Sequence, residues 1–208
     1  MPKLLLASEL GQSINILPDQ LGIKLEGKNV AFVDNAADPY KPNVPWVEAD
    51  LQAFESKGSI VEKIDLQALD NNQIIERISQ SDILHINGGS TLYLLKLLQD
   101  KNLVQPLRQL ILQDKVIYTG SSAGSMIAGP NLECCQVFDE LGISKEIANF
   151  NSLNLVNFVV LPHMQNQPDH DEALKVIQNY IRPNYSYITL SDNQAIWVSG
   201  GKFEILNG

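Results

Sequence analysis

Val116-Ile117-Tyr118-Thr119-Gly120-Ser121-Ser122-Ala123-Gly124 is the stretch on which the reading of this chain turns. A short apolar run, strand-like from Lys115 to Thr119, passes into Gly-x-Ser-x-Gly. A short helix is then expected to run to about Ala128, stopped by Gly129-Pro130. The glycines permit a sharp bend in which Ser122 takes up strained backbone, because side chains at their positions would collide with neighbouring segments. In a strand–turn–helix setting such a serine presents its hydroxyl at the C-terminal edge of a sheet, over the next helix's N-terminus. A Gly/Ser-rich turn that cradles a phosphate has the same five-residue pattern, so the motif alone leaves both readings open.

Outward from this point, short apolar runs alternate with helical patterns. Strands are expected at Lys3 to Ala7, Asn29 to Asp34, Ser59 to Ile64, Asp82 to Ile86 and Phe158 to Leu161, with shorter ones near 187–190, 195–198 and 203–206 around a Gly200-Gly201 turn. Helices are expected at Val44 to Ser56, Leu66 to Ser79, Thr91 to Asp100 and Val104 to Gln113. Another, with Leu174, Ile177 and Ile181 on one side, follows His163. Leu69, Ile74, Ile75 and Ile78 share one face of the second of these helices. The alternation predicts a single α/β domain over residues 1–208, with a mostly parallel sheet covered on both faces. Residues 131–152 read as loop with some helix.

Asn87-Gly88-Gly89-Ser90-Thr91 also follows a strand and opens a helix. Bare glycines leave backbone N–H groups free to face an anion, as an oxyanion hole requires, with the N–H of Ala123 as second donor. Ser90 or Thr91 as a helix N-cap accounts equally for the pattern. The chain has three histidines. His85 lies within an apolar strand and reads as a packed residue, and His170 lies in a polar run. His163 ends a strand after Pro162, where a base for Ser122 is expected. For the acid that orients it, Asp192 follows an apolar strand; Asp139, Glu140 and Glu133 compete, and Gln194 is a neutral alternative.

The composition, 44% hydrophobic and 19% charged with a net charge of -9, suits a soluble globular domain and argues against a nucleic-acid partner. Adjacent Cys134 and Cys135 bridge each other only with strain, which fits a reducing, cytoplasmic setting. No stretch reaches bilayer-spanning length, so no membrane association is expected. Neither HExxH nor Cys-x-x-Cys occurs, and no metal or cofactor is expected.

Gly88-Gly89-Ser90-Thr91 before a leucine-rich helix, Tyr118 to Gly124, and Leu153-Asn154-Leu155 leading to Leu161-Pro162-His163 together resemble the peptidase E family. Its relatives include cyanophycinases, and its fold is similar to class I glutamine amidotransferase domains. The resemblance covers nearly the whole chain. It implies a flavodoxin-like sheet and a serine hydrolase of short peptides, monomeric or homodimeric. Ser122 would be the nucleophile, His163 the base, Gly89 and Ala123 the oxyanion donors, and Gly88 and Ser90 would contact substrate. Asp192 falls near the family's late acid, usually a glutamate, which some relatives carry at the position of Gln194. The chain departs from the family where many aspartyl dipeptidases read Gly-Gly-Gly-Asn-Thr and carry an arginine after the histidine. Here Asp169 to Gln178 offers only Lys175, beside Asp169, Asp171 and Glu172; Arg182 is a candidate replacement.

Overall fold

The computed structural model describes residues 1–22, 24–165, 169–180 and 185–208. Among the described residues the main sheet has seven strands, beginning with β1 (Leu4–Ala7), β2 (Asn29–Val33), β3 (Ile60–Lys63), β4 (Ile83–Ile86) and β5 (Ile117–Ser121). These five are parallel to their neighbours in the order β3-β2-β4-β5-β1. Phe158–Leu161 is β6, Ser186–Thr189 is β7, Gln194–Ser199 is β8 and Lys202–Asn207 is β9. β8 runs antiparallel beside β1, and β9 folds back on it through Gly200-Gly201. The result is an α/β sandwich of flavodoxin-like type: a mostly parallel sheet covered on both faces, as the alternation implies, in the arrangement that the family resemblance implies.

Side-chain alternation along the central strands sorts the core into two layers. Leu4, Leu6, Ala31, Val33, Leu84, Ile86 and Tyr118 face one side. There they meet α4 (Asn71–Ser79), α5 (Thr91–Asp100) and α6 (Val104–Leu112), whose Ile74, Ile78, Leu94, Leu98, Leu107 and Ile111 are buried. Leu5, Ala7, Val30, Phe32 and Ile83 face the other side. That layer is closed by α1 (Leu10–Ser13), α2 (Ile16–Leu21) and α3 (Pro45–Ser56) through Leu10, Leu17, Val47 and Phe54. Among the described residues no helix is long and apolar enough to cross a membrane.

Three features differ from the sequence expectation. β6 does not enter the main sheet; it pairs in parallel with β7 in a separate two-stranded sheet, because β8 already occupies the edge beside β1. α4 begins at Asn71 and not at Leu66. The Asp65 carboxylate draws the N–H groups of Gln67 and Ala68 into a turn, and Asp70 and Gln73 then form a reciprocal capping box. On α8 (Asp169–Tyr180) Val176 is buried whereas Leu174 is 39% exposed. The side chain of Ile177, and Ile181 and Arg182 entirely, lie outside the described residues. The 131–152 region holds two short 3-10 turns, Glu133–Phe138 and Ile143–Glu146.

Candidate active site

The carboxyl ends of parallel strands are where an α/β sheet gathers ligand-binding groups. Here the ends of β1, β4 and β5 deliver Ser8-Glu9, Asn87-Gly88-Gly89 and Ser122 to one place. Ser122 follows β5 and stands at φ 48, ψ -109, a conformation costly for a residue with a side chain. Its N–H donates to the carbonyls of Ala7 and Ser8, both at 3.1 Å. The start of α7 (Ala123–Met126) is pinned beneath it. Ser125 Oγ bonds the Ala7 and Gly120 carbonyls, and the buried Tyr118 hydroxyl donates to the Gly124 carbonyl at 2.6 Å. A Cβ on Gly120 would lie 2.5 Å from Gly124 C and O, and one on Gly124 only 1.9 Å from Ile86 O, so this bend tolerates nothing larger.

The small second sheet supplies the partners. β6 and β7 align Leu161 with Thr189, and bonds from Leu190 N to Leu161 O and from Met164 N to Leu190 O carry the pairing past the strand ends. That register sets His163 beside Asp192. His163 Nδ1 lies 2.7 Å from Asp192 Oδ1, and Nε2 lies 3.0 Å from Ser122 Oγ. A carboxylate only accepts, so Nδ1–H donates to Asp192 and Nε2 is left to accept from the serine hydroxyl. Asp192 is 6% exposed, and Gln165 Nε2 donates to its other oxygen at 3.1 Å. Ser8 Oγ accepts from the backbone N–H of His163 at 2.9 Å, steadying a residue at φ 63.

Of the competing acids, Asp139 folds onto the N–H groups of Ile143 and Ser144, and Glu140 lies on the cleft wall. Gln194 turns away: its Oε1 accepts from Ser191 N and its Nε2 donates to Asn207. Glu9, which the sequence reading missed, brings Oε1 to 3.9 Å from His163 Nδ1. Among the described residues, Glu9, His163 and Asp192 are the grouping whose donor atoms could hold a cation, and they coincide with this site.

The turn after β4 passes beside the serine; a Cβ on Gly88 would lie 3.3 Å from Ser122 Cβ. Gly89 has φ 142, and Ser90 donates its N–H to Ala36 O. Ser90 Oγ accepts from Tyr93 N and caps α5, in line with the N-cap reading of this turn. Among the described residues no acceptor takes the N–H of Gly89 or of Ala123. A cleft of about 800 Å³ opens here, walled by Glu9, Tyr40, Trp46, Asp50 and Glu140 around Ser122 and His163. Burial, then the nearby Glu140 carboxylate, push the Tyr40 phenol above its ordinary pKa, so it is a neutral donor at physiological pH.

His85 is fully buried, bonded to Thr119 and packed on Phe32 and Phe54, as expected of a strand histidine. Cys134 and Cys135 are buried free thiols. The contact with Cys134, then burial, hold the Cys135 thiol well above its usual pKa, which suits packing and not nucleophilic chemistry.

Fold and site together define an α/β protein with a serine, an imidazole and a carboxylate in series at the carboxyl edge of its sheet. The sequence profile of peptidase family S51 matches residues 5–206, and the chain belongs to that family of serine peptidases. An uncharacterized peptidase of Listeria monocytogenes is 31% identical over 176 residues, covering 85% of this chain and 84% of its own. Peptidase E of Shewanella denitrificans is 27% identical over 137 residues, covering 63% and 56%. A crystal structure of a peptidase E-type protein from Listeria monocytogenes EGD-e superposes with a TM-score of 0.86 at 28% identity, covering 100% of this chain and 98% of that one.

Proposed function

We propose that this S51 family member hydrolyses short peptides with Ser122 as nucleophile, His163 as general base and Asp192 as the group that orients His163. The observation that carries the reading is the series of two short contacts, 3.0 Å from Ser122 Oγ to His163 Nε2 and 2.7 Å from His163 Nδ1 to Asp192. In the first step the Ser122 proton moves to Nε2 as the Oγ–C bond forms and the carbonyl electron pair shifts to oxygen. The N–H groups of Gly89 and Ala123 are suited to receive that oxyanion. Collapse breaks the C–N bond, and His163 returns the proton to the departing amine. Water then repeats the sequence on the acyl-enzyme, releasing the carboxylic acid and restoring the serine.

The cleft walls carry Glu9, Asp50 and Glu140, and among the described residues no Lys or Arg lines them. A carboxylate entering such a cleft meets like charges. We therefore expect neutral or basic N-terminal residues to be favoured over aspartate. Buried free thiols support a reducing, cytoplasmic location.

A dipeptide panel with Lys, Ala or Asp as first residue, run on wild type and Ser122→Ala, tests both parts. The expected result is turnover of Lys-X and Ala-X at rates at least roughly tenfold above Asp-X, abolished in the variant. Wild-type rates in Ser122→Ala would remove the mechanism. A preference for Asp-X that depends on Ser122 would remove only the charge argument.

A further inference from the structure

The turn that presents the N–H of Gly89 has little stiffness of its own. Its two glycines lack Cβ atoms, and a bulkier residue cannot replace Gly89, whose Cβ would fall 2.2 Å from Ala36 O at φ 142. A peptide plane between two glycines can rotate by compensating changes in the torsions on either side, and rotation would aim the N–H out of the cleft. The peptide is planar and trans, so the carbonyl of Gly88 and the N–H of Gly89 point in opposite directions. A group that holds the carbonyl therefore aims the N–H.

Helix α3 supplies that grip. Trp46 Nε1–H donates to the Gly88 carbonyl at 3.2 Å. One turn further along the same helix face, Asp50, 4% exposed, accepts from Asn87 Nδ2 at 2.8 Å and, through its other oxygen, from Gly11 N at 3.1 Å. The His85 ring adds Nε2 at 3.5 Å from the Asp50 carboxylate. A buried carboxylate is costly unless its oxygens are engaged, and here both are engaged in tying α1 and the end of β4 to α3. Trp46 is 39% exposed, so its indole is not needed to fill the core.

We propose that Trp46 and Asp50 are positioning residues, which lock the Gly88–Gly89 peptide with its N–H aimed at the oxygen of the carbonyl group whose carbon Ser122 attacks. The inference rests on the Ser122 mechanism proposed above and goes beyond it by assigning α3 a part in transition-state stabilisation. Trp46→Phe keeps the ring and removes the N–H. Deleting an oxyanion donor outright costs about 10²–10³ in turnover, and freeing its orientation should cost about tenfold in kcat, with KM changed by less than about twofold. A peptide aldehyde, which forms an oxyanion on Ser122, should lose the same tenfold in affinity, whereas an unreactive peptide alcohol should lose none. Asp50→Asn puts an amide donor where two donors need acceptors and should shift kcat in the same direction; if it does not fold, the Trp46 variant decides alone.

A Trp46→Phe enzyme with wild-type kcat and aldehyde affinity, alongside an inactive Ser122→Ala, overturns the positioning role and leaves the serine mechanism standing. A rise in KM at constant kcat also overturns it, making Trp46 a substrate contact. Full activity in Ser122→Ala overturns both.

Discussion

Replacing Gly124 with alanine should break both the close approach of α7 to β4 and the alignment at Ser122. The added Cβ would sit 1.9 Å from the Ile86 carbonyl oxygen and 2.7 Å from its carbon. Relief requires a separation of about 3.2 Å, so α7 and β4 must part by more than about 1 Å. Neither can do so cheaply. Ile86 is paired on both sides, with Val33 of β2 and Gly120 of β5. α7 is held by Ser125 Oγ on Ala7 and Gly120 and by the Tyr118 hydroxyl on Gly124 itself. Overpacking of yielding side chains costs about 1–3 kcal/mol, and a clash between backbones belongs at or above the top of that range. At roughly 2–4 °C per kcal/mol for a chain of this length, about 3 kcal/mol lowers the melting temperature by roughly 6–12 °C. Displacing α7 by this much also carries Ser122 from His163, and misplacement of about 1 Å costs about 10²-fold in kcat/KM. Differential scanning calorimetry with peptide turnover reads both effects. Gly142→Ala is the control, since no atom lies within 4 Å of its added Cβ and only its φ of +70 is strained; it should cost about 1 kcal/mol and leave turnover intact. A Gly124→Ala protein melting within about 2 °C of wild type, with unchanged turnover, would refute the close-approach reasoning.

Two further outcomes follow from the same geometry. Asp192→Asn keeps the shape beside His163 but offers an amide in place of the carboxylate at 2.7 Å; kcat should fall by about 10³–10⁴ with little change in KM, measured by steady-state kinetics on the best dipeptide. Asp139 gives a pH signature. Burial works to raise its carboxyl, but hydrogen bonds from the Ser144 side chain and from the N–H groups of Ser144, Ile143 and Gly142 together hold it below the ordinary value. A lowered folded pKa contributes stability above the unfolded value, near 4, that is lost as pH falls through the folded one. Urea midpoints of wild type and Asp139→Asn should therefore differ at pH 7 and converge below about pH 4; a gap that persists unchanged at low pH contradicts the assignment.

The parts of the molecule written most plainly in the sequence are those set by local pattern. Thr91–Asp100 is a helix with the bounds that its leucine spacing and Ser90 cap imply, and Ile83–Ile86 reads as a buried strand from composition alone. Ser122 stands out because only a bend with no room for side chains requires glycine on both sides. Pairing partners are less legible. Phe158–Leu161 is apolar whichever sheet it joins, so its pairing with β7 outside the main sheet has no sequence signature, although that pairing is what sets His163 against Asp192. Helices as short as Leu10–Ser13 and Ile16–Leu21 have too few turns to show a period. Trp46 and Asp50 carry a helical spacing that reads only as amphipathic, and Ser8 and Glu9 acquire their places because β1 lies beside β5. The different placements of Asp192 and Gln194 come from a tight turn, in which Gln194 accepts from Ser191 N–H and Asp192 faces the imidazole.

The most direct test of the central claim is covalent. Wild-type protein treated with a diphenyl aminoalkylphosphonate, digested and mapped by mass spectrometry, should carry one adduct on Ser122, absent in Ser122→Ala and formed at least roughly 10²-fold more slowly in His163→Ala. An enzyme that turns over peptides while its adduct sits on another residue, or that labels Ser122 equally fast without His163, would contradict the account.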